Sequence, residues 1–187
     1  LRLGVSGSGS LLASGNEFLF GQTSGIRSAI GYAHVHHNSF WGTTGKGVLC
    51  YTAGTALIEH NVFNNDTTHG RPWGVYIEYA NSATVRNNLI LQTMEPVRWS
   101  YATGTIENNT MIVASGLADG LPPSKGIHVF LRPFETLTIR NNVMKDFEAF
   151  YKFGRACDTC DTTGLITFAH NSFWPPQDSF YQIWPDD

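Results

Sequence analysis

Arg98, His128, Tyr76 and Glu78 are the side chains in this sequence whose types could together remove a proton from a carbon beside a carboxylate. That chemistry needs a base to take the proton and a cation to stabilise the anion that develops. Arg98 could neutralise the carboxylate, and His128 or Tyr76 could serve as base or acid. Glu78 could orient His128 or hold a calcium ion, the one cofactor this set suggests. They come from three separate stretches of the chain, around Tyr76 and Glu78, at Arg98 and at His128, so the chemistry depends on elements that bring them to one face.

Those elements are marked by asparagine. Asn16, Asn38, Asn61, Asn88, Asn109, Asn142 and Asn171 recur at intervals of 21 to 33 residues. Around six of them the pattern is complete: an apolar residue, any residue, His or Asn, the Asn itself, any residue, then Phe, Ile or Met. The copies read Val35-His-His-Asn-Ser-Phe40, Ile58-Glu-His-Asn-Val-Phe63, Val85-Arg-Asn-Asn-Leu-Ile90, Ile106-Glu-Asn-Asn-Thr-Met111, Ile139-Arg-Asn-Asn-Val-Met144 and Phe168-Ala-His-Asn-Ser-Phe173. A period in this range marks a solenoid, in which each repeat buries its apolar face only against its neighbours. The copies are rich in Val, Ile, Thr and Phe, alternate apolar with polar, and are broken by Gly, Asn and Ser, so they read as short strands. Asparagine tolerates the left-handed backbone of a sharp corner. Stacked at one corner, its amides can also bond from rung to rung at about 4.8 Å.

A second strand precedes each copy, opened by Gly or Pro and a β-branched residue: Gly25-Ile-Arg27, Gly47-Val-Leu49, Gly74-Val-Tyr76, Pro96-Val-Arg98 and Gly126-Ile-His128. Alternation sends Ile26, Val48, Val75, Val97 and Ile127 inward, followed by Cys50, Ile77, Trp99 and Val129. The outward columns are then Arg2, Arg27, Leu49, Tyr76, Arg98 and His128, and beside them Tyr51, Glu78, Ser100 and Phe130. Long loops are expected from Asn64 to Trp73, Leu91 to Glu95 and Val113 to Lys125. Two residues before each ladder Asn stand His36, Glu59, Arg86, Glu107, Arg140 and Ala169, whose alternating signs suit an ion-pair ladder rather than catalysis. The corner histidines His37, His60 and His170 replace Asn and are expected to take over its hydrogen-bonding role; a metal site from His36, His37 and His60 is the lesser reading.

Composition narrows the partners. The 187 residues are 14% charged and 13% aromatic with a net charge of −3, which excludes a polyelectrolyte and offers no basic face for nucleic acid. No run of 18 apolar residues exists to span a membrane. One all-β domain is expected over 1–187, a solenoid of about seven coils, regular from about 25 to 175, with 176–187 as an irregular tail. Leu1 to Val5 reads as an interior strand, so a processed product or a section of a longer chain is expected, with head-to-tail association a further option. Cys50 reads as core filler. Cys157 and Cys160 could be plain thiols, a local disulfide, half of a metal site or a redox pair.

The repeated Val/Ile-x-His/Asn-Asn-x-Phe/Ile/Met motif resembles the right-handed parallel β-helix superfamily, the pectate-lyase-like solenoids, over about residues 25 to 175. The resemblance implies a right-handed single-stranded β-helix. It also implies a polysaccharide substrate lying on the outer face of the first sheet, walled by the loops after the third strand, in a secreted or cell-surface protein. Carried onto this chain, that groove contains Tyr51, Tyr76, Glu78, Arg98, Ser100, His128 and Phe130, with Asp66, His69, Arg71, Trp73 and Glu95 from the loops. Aromatic rings would stack on sugar faces while charged groups hold hydroxyls and uronates. The superfamily also contains hydrolases, epimerases, tailspikes and surface proteins, and fold alone does not choose among them. No paired-Asp hydrolase signature, Gly-His-Gly or Asp-Pro-His-Asp stands in this chain. Two expectations follow: an enzyme on an acidic polysaccharide, lyase before hydrolase, or a non-catalytic filament subunit, tailspike section or sugar-binding module. A hydrolase would need Glu78 to approach Asp66 or Glu95 at a carboxylate spacing of about 5 to 9.5 Å.

Overall fold

A computed structural model of the chain describes residues 3–6, 9–19, 24–29, 31–42, 45–51, 54–64, 73–113, 124–147, 149–155, 165–174 and 184–185. Asp66, His69, Arg71, Cys157 and Cys160 lie outside the described residues.

Three parallel sheets form the walls of a solenoid, and each coil gives one short strand to each wall. One coil runs Trp73–Glu78, Ser82–Arg86 and Leu89–Leu91. Among the described residues the first sheet has eight strands and the second and third have seven each, in line with about seven coils. Among the described residues, strands pair with their counterparts one coil before and one after. Regular rungs already begin at Leu3–Ser6, and the expected irregular tail includes a short strand, Trp184–Pro185, parallel to Ala149–Arg155.

The asparagines stack as a continuous ladder. The side-chain amide of each donates to the Oδ1 of the next, from Asn16 to Asn38 and onward to Asn171, at 3.0 to 3.1 Å. That same Oδ1 accepts the backbone N–H of the residue below, as in Asn61 N to Asn88 Oδ1 at 3.0 Å. The second amide hydrogen is satisfied by backbone carbonyls, for Asn88 by Ile58. Asn38 through Asn142 are buried, so their polar atoms persist inside only because every one is matched.

The left-handed corner belongs to the residue before the ladder Asn, not to the ladder Asn itself. His37, His60, Asn87, Asn108, Asn141 and His170 all have φ of 53 to 55°. His and Asn interchange here because both accept that backbone, and His37 stacks on His60 one rung away at 5.1 Å. Outside the corner the charges pair as their signs predict: Arg86 Nε meets Glu59 at 2.7 Å, and Arg140 Nε meets Glu107 at 2.7 Å. His34 adds a bond to Glu59 at 2.9 Å.

The core fills by like stacking on like. Phe18, Phe40 and Phe63 lie face to face at 4.7 and 4.6 Å. Val48, Val75, Val97 and Ile127 are fully buried along the first sheet, followed by Cys50, Ile77, Trp99 and Val129. Burial pushes the Cys50 thiol up to about 12, so it is inert filler.

Alternation breaks at the start of each first-sheet strand. A Cβ on Gly47 would lie 2.5 Å from the Phe63 ring, and one on Gly25 would lie 2.8 Å from the Phe40 ring. Both glycines therefore face the core, next to Val48 and Ile26, which face it as well. Two successive core-directed residues shift the phase, so the residue before Gly emerges on the same outer face as the residue three later.

Asn88→Ala should cost about 3 kcal/mol, because it removes several buried hydrogen bonds and orphans groups on both neighbouring rungs. Asn87→Gly should cost about 1 kcal/mol or less, since glycine accepts the left-handed corner freely. Urea denaturation of the two variants checks this, and equal losses would sink the distinction.

Candidate functional site

The phase shift decides what stands on the outer face of the first sheet. Three columns run along it: Lys46, Trp73, Glu95 and Lys125; Leu49, Tyr76, Arg98 and His128; Tyr51, Glu78, Ser100 and Phe130. Register confirms the latter two columns, with Tyr76 opposite Arg98, Arg98 opposite His128, and Glu78 opposite Ser100. Trp73 and Glu95, expected in loops, instead open strands and pair with each other.

Glu95 is the centre of charge. Its carboxylate lies 3.4 Å from His128 Nδ1, 3.6 Å from Arg98 Nη1 and 4.0 Å from Lys125 Nζ. Burial would raise its carboxyl, but the hydrogen bond and charge of His128, then the charges of Arg98 and Lys125, outweigh that. The net effect holds Glu95 below its ordinary value of 4.5. An ionised carboxylate only accepts, so Nδ1 of His128 donates to it and a neutral ring keeps its lone pair on Nε2. Among the described residues that buried Nε2 has no hydrogen-bond partner, and neither has the buried Nε of Arg98 on the adjacent rung.

The expectation that Glu78 orients His128 is corrected here, because Glu95 does so. Glu78 sits two rungs from His128, about 10 Å away at strand spacing, whereas Glu95 is on the neighbouring strand. Glu78 instead acts on Tyr76: burial raises the phenol above its ordinary value, and the charge of Glu78 adds to that against the opposing charge of Arg98. Nor does Glu78 fit a calcium site. Calcium takes six to eight oxygens, yet Lys46 lies close enough to act on Glu78 electrostatically, and among the described residues no three His, Cys, Asp or Glu converge on a metal position.

Aromatic rings fix the arginine. Its guanidinium carbon lies 5.2 Å from the Trp73 ring, 5.3 Å from Tyr76 and 5.2 Å from Phe130. Phe130 also packs on His128 at 4.5 Å. Lys46 sits over Trp73 and Tyr76 at 4.7 and 5.1 Å, and burial lowers its ammonium, reinforced by Arg98 and Arg27. Tyr51 stands outside this set, 37% exposed, with its ring edge toward Tyr79 at 6.1 Å. Lys46, Lys125 and the true position of Glu95 escape strict alternation. The recurring Gly or Pro at the second strand position was the only signal for them.

A family model described as the right handed beta helix region matches residues 5–174. The chain belongs to the right-handed β-helix family. No curated relative and no solved structure matches it. Within this right-handed β-helix the Glu95 cluster occupies the middle of the first sheet, where four successive rungs contribute to one patch.

Because its folded value is depressed, Glu95 contributes stability that is complete above about 4.5 and is lost as pH falls through the folded value. Glu95→Gln should be less stable than wild type at neutral pH but lose less on acidification. Thermal midpoints from about pH 7 down to about pH 3 test this; parallel curves would show that the carboxylate is uncoupled.

Proposed function

We propose that this β-helix acts outside the cell on an acidic polysaccharide, which lies along the first-sheet face and is cleaved by elimination. The observation that carries the reading is the pair of buried, unpartnered atoms on adjacent rungs, Arg98 Nε–H and His128 Nε2, beside a carboxylate that fixes the imidazole tautomer. Arg98 supplies a donor and a positive charge for the uronate carboxylate. His128 supplies a lone pair for the proton on the neighbouring carbon. As that proton moves to Nε2, the C–H electrons form a carbon–carbon double bond and the glycosidic C–O bond breaks. The imidazolium then returns its proton to the departing oxygen. Tyr76, Trp73 and Phe130 hold Arg98 in place, while Ser100 and Tyr51 line the same face.

A second reading has the solenoid hold the polymer without cutting it. It is favoured by the burial of His128, whose side chain is only 6% exposed. Incubation with pectate, alginate and hyaluronan, with and without calcium, separates the two through the ultraviolet absorbance of unsaturated product ends. Elimination predicts product with at least one polymer and a fall of about 10²- to 10⁴-fold in turnover for His128→Gln. Tight binding with no product from the wild type would establish the second reading.

A further inference from the structure

The bend from the first sheet into the second carries side chains that its backbone does not favour. Tyr79 and Tyr101 occupy that corner with φ of 55 and 56°, a region in which bulky residues are outliers and Asn or Gly is ordinary. Their rings stack at 4.9 Å and 25°. Arg132, on the next coil, brings its guanidinium carbon to 4.9 Å from the Tyr79 ring and 4.6 Å from the Tyr101 ring. It is exposed and forms no ion pair among the described residues.

Two residues on, the choice is costlier still. Arg132, Pro133, Phe134 and Glu135 form a tight turn closed by Glu135 N–H donating to the Arg132 carbonyl at 3.2 Å. Proline at the second position and positive φ at the third suit a type II turn, where glycine is usual. Here the third residue is Phe134, with φ of 75° and 98% exposure. Strained backbone bearing an exposed aromatic serves no packing purpose, and such outliers concentrate at binding sites.

We propose that this corner is a second subsite for the polysaccharide, a rail of Tyr51, Tyr79, Tyr101, Arg132 and Phe134 that takes sugar units beyond those over Arg98 and His128. The proposal rests on the polysaccharide reading above. The rail is contiguous with that face, because Tyr79 follows Glu78 and Tyr101 follows Ser100 in the column that ends at Phe130. Aromatic side chains pack on the apolar C–H face of a pyranose ring, and an unpaired guanidinium beside them selects a ring bearing a carboxylate. Rings already immobilised by stacking lose little freedom on binding.

The strain makes the test two-sided. Phe134→Gly and Tyr101→Asn place favoured residues at left-handed positions, so each should hold or raise the thermal midpoint, by about 2 to 4 °C for the first. Both should weaken binding of long polygalacturonate, polymannuronate or hyaluronan fragments about tenfold, measured by calorimetry, while leaving the affinity for disaccharides unchanged. Wild type that binds none of the three polymers would overturn the polysaccharide reading and the rail with it. Wild type that binds, with variants that bind long fragments equally well, would overturn the rail alone. A drop in midpoint for both variants would show that the aromatics serve the fold instead.

Discussion

The asparagine ladder is the interaction on which the rest of this β-helix depends. Each amide bonds to the coil on either side and to the backbone between, so the rungs cannot slip relative to one another without orphaning buried polar atoms. A slip of one residue would also turn every inward side chain outward. The ladder therefore fixes register, and register fixes which residues share a face. Arg98 meets His128 because Asn109 meets Asn142.

A second constraint acts across the interior. The Phe, Ile or Met that ends each repeat motif projects from the third sheet toward the first, where the buried second strand position is held by Gly25, Gly47, Gly74, Pro96 and Gly126. Gly25 beneath Phe40 and Gly47 beneath Phe63 show the fit. That accommodation shifts the phase of the first-sheet strands and turns Lys46, Trp73, Glu95 and Lys125 outward. The candidate site is thus a by-product of core packing: the buried Pro96 and Val97 together turn Glu95 onto the outer face, one strand away from His128. Charge, aromatic cover and a fixed tautomer then follow from neighbours on adjacent rungs rather than from any local motif.

Much of this was legible in the residues. The motif of Val35 to Phe40 and its five copies identified strands, corners and the inward columns, and the signs of Glu59, Arg86, Glu107 and Arg140 foretold the pairs they make. Tyr76, Arg98, Ser100 and His128 were correctly placed on one face because they follow the phase break and so obey simple alternation from Val75, Val97 and Ile127. Glu95 was misread as loop, and its role was given to Glu78, because it precedes the break. Tyr79, Tyr101 and Phe134 escaped notice because nothing in their type announces a left-handed backbone, which asparagine and glycine normally signal.

By itself, then, the sequence determined the solenoid, its seven rungs and the order of its columns, since repeat period, strand alternation and asparagine stacking are properties that each coil states locally and its neighbours repeat. Tertiary structure decided which carboxylate faces the imidazole, which atoms of Arg98 and His128 are left without partners, and where exposed aromatics crowd a corner. Those outcomes depend on the phase break at the second position of the first-sheet strands, where Gly74, Pro96 and Gly126 are buried. Such a break leaves in the chain a glycine or a proline, whose meaning is set by what lies across the core.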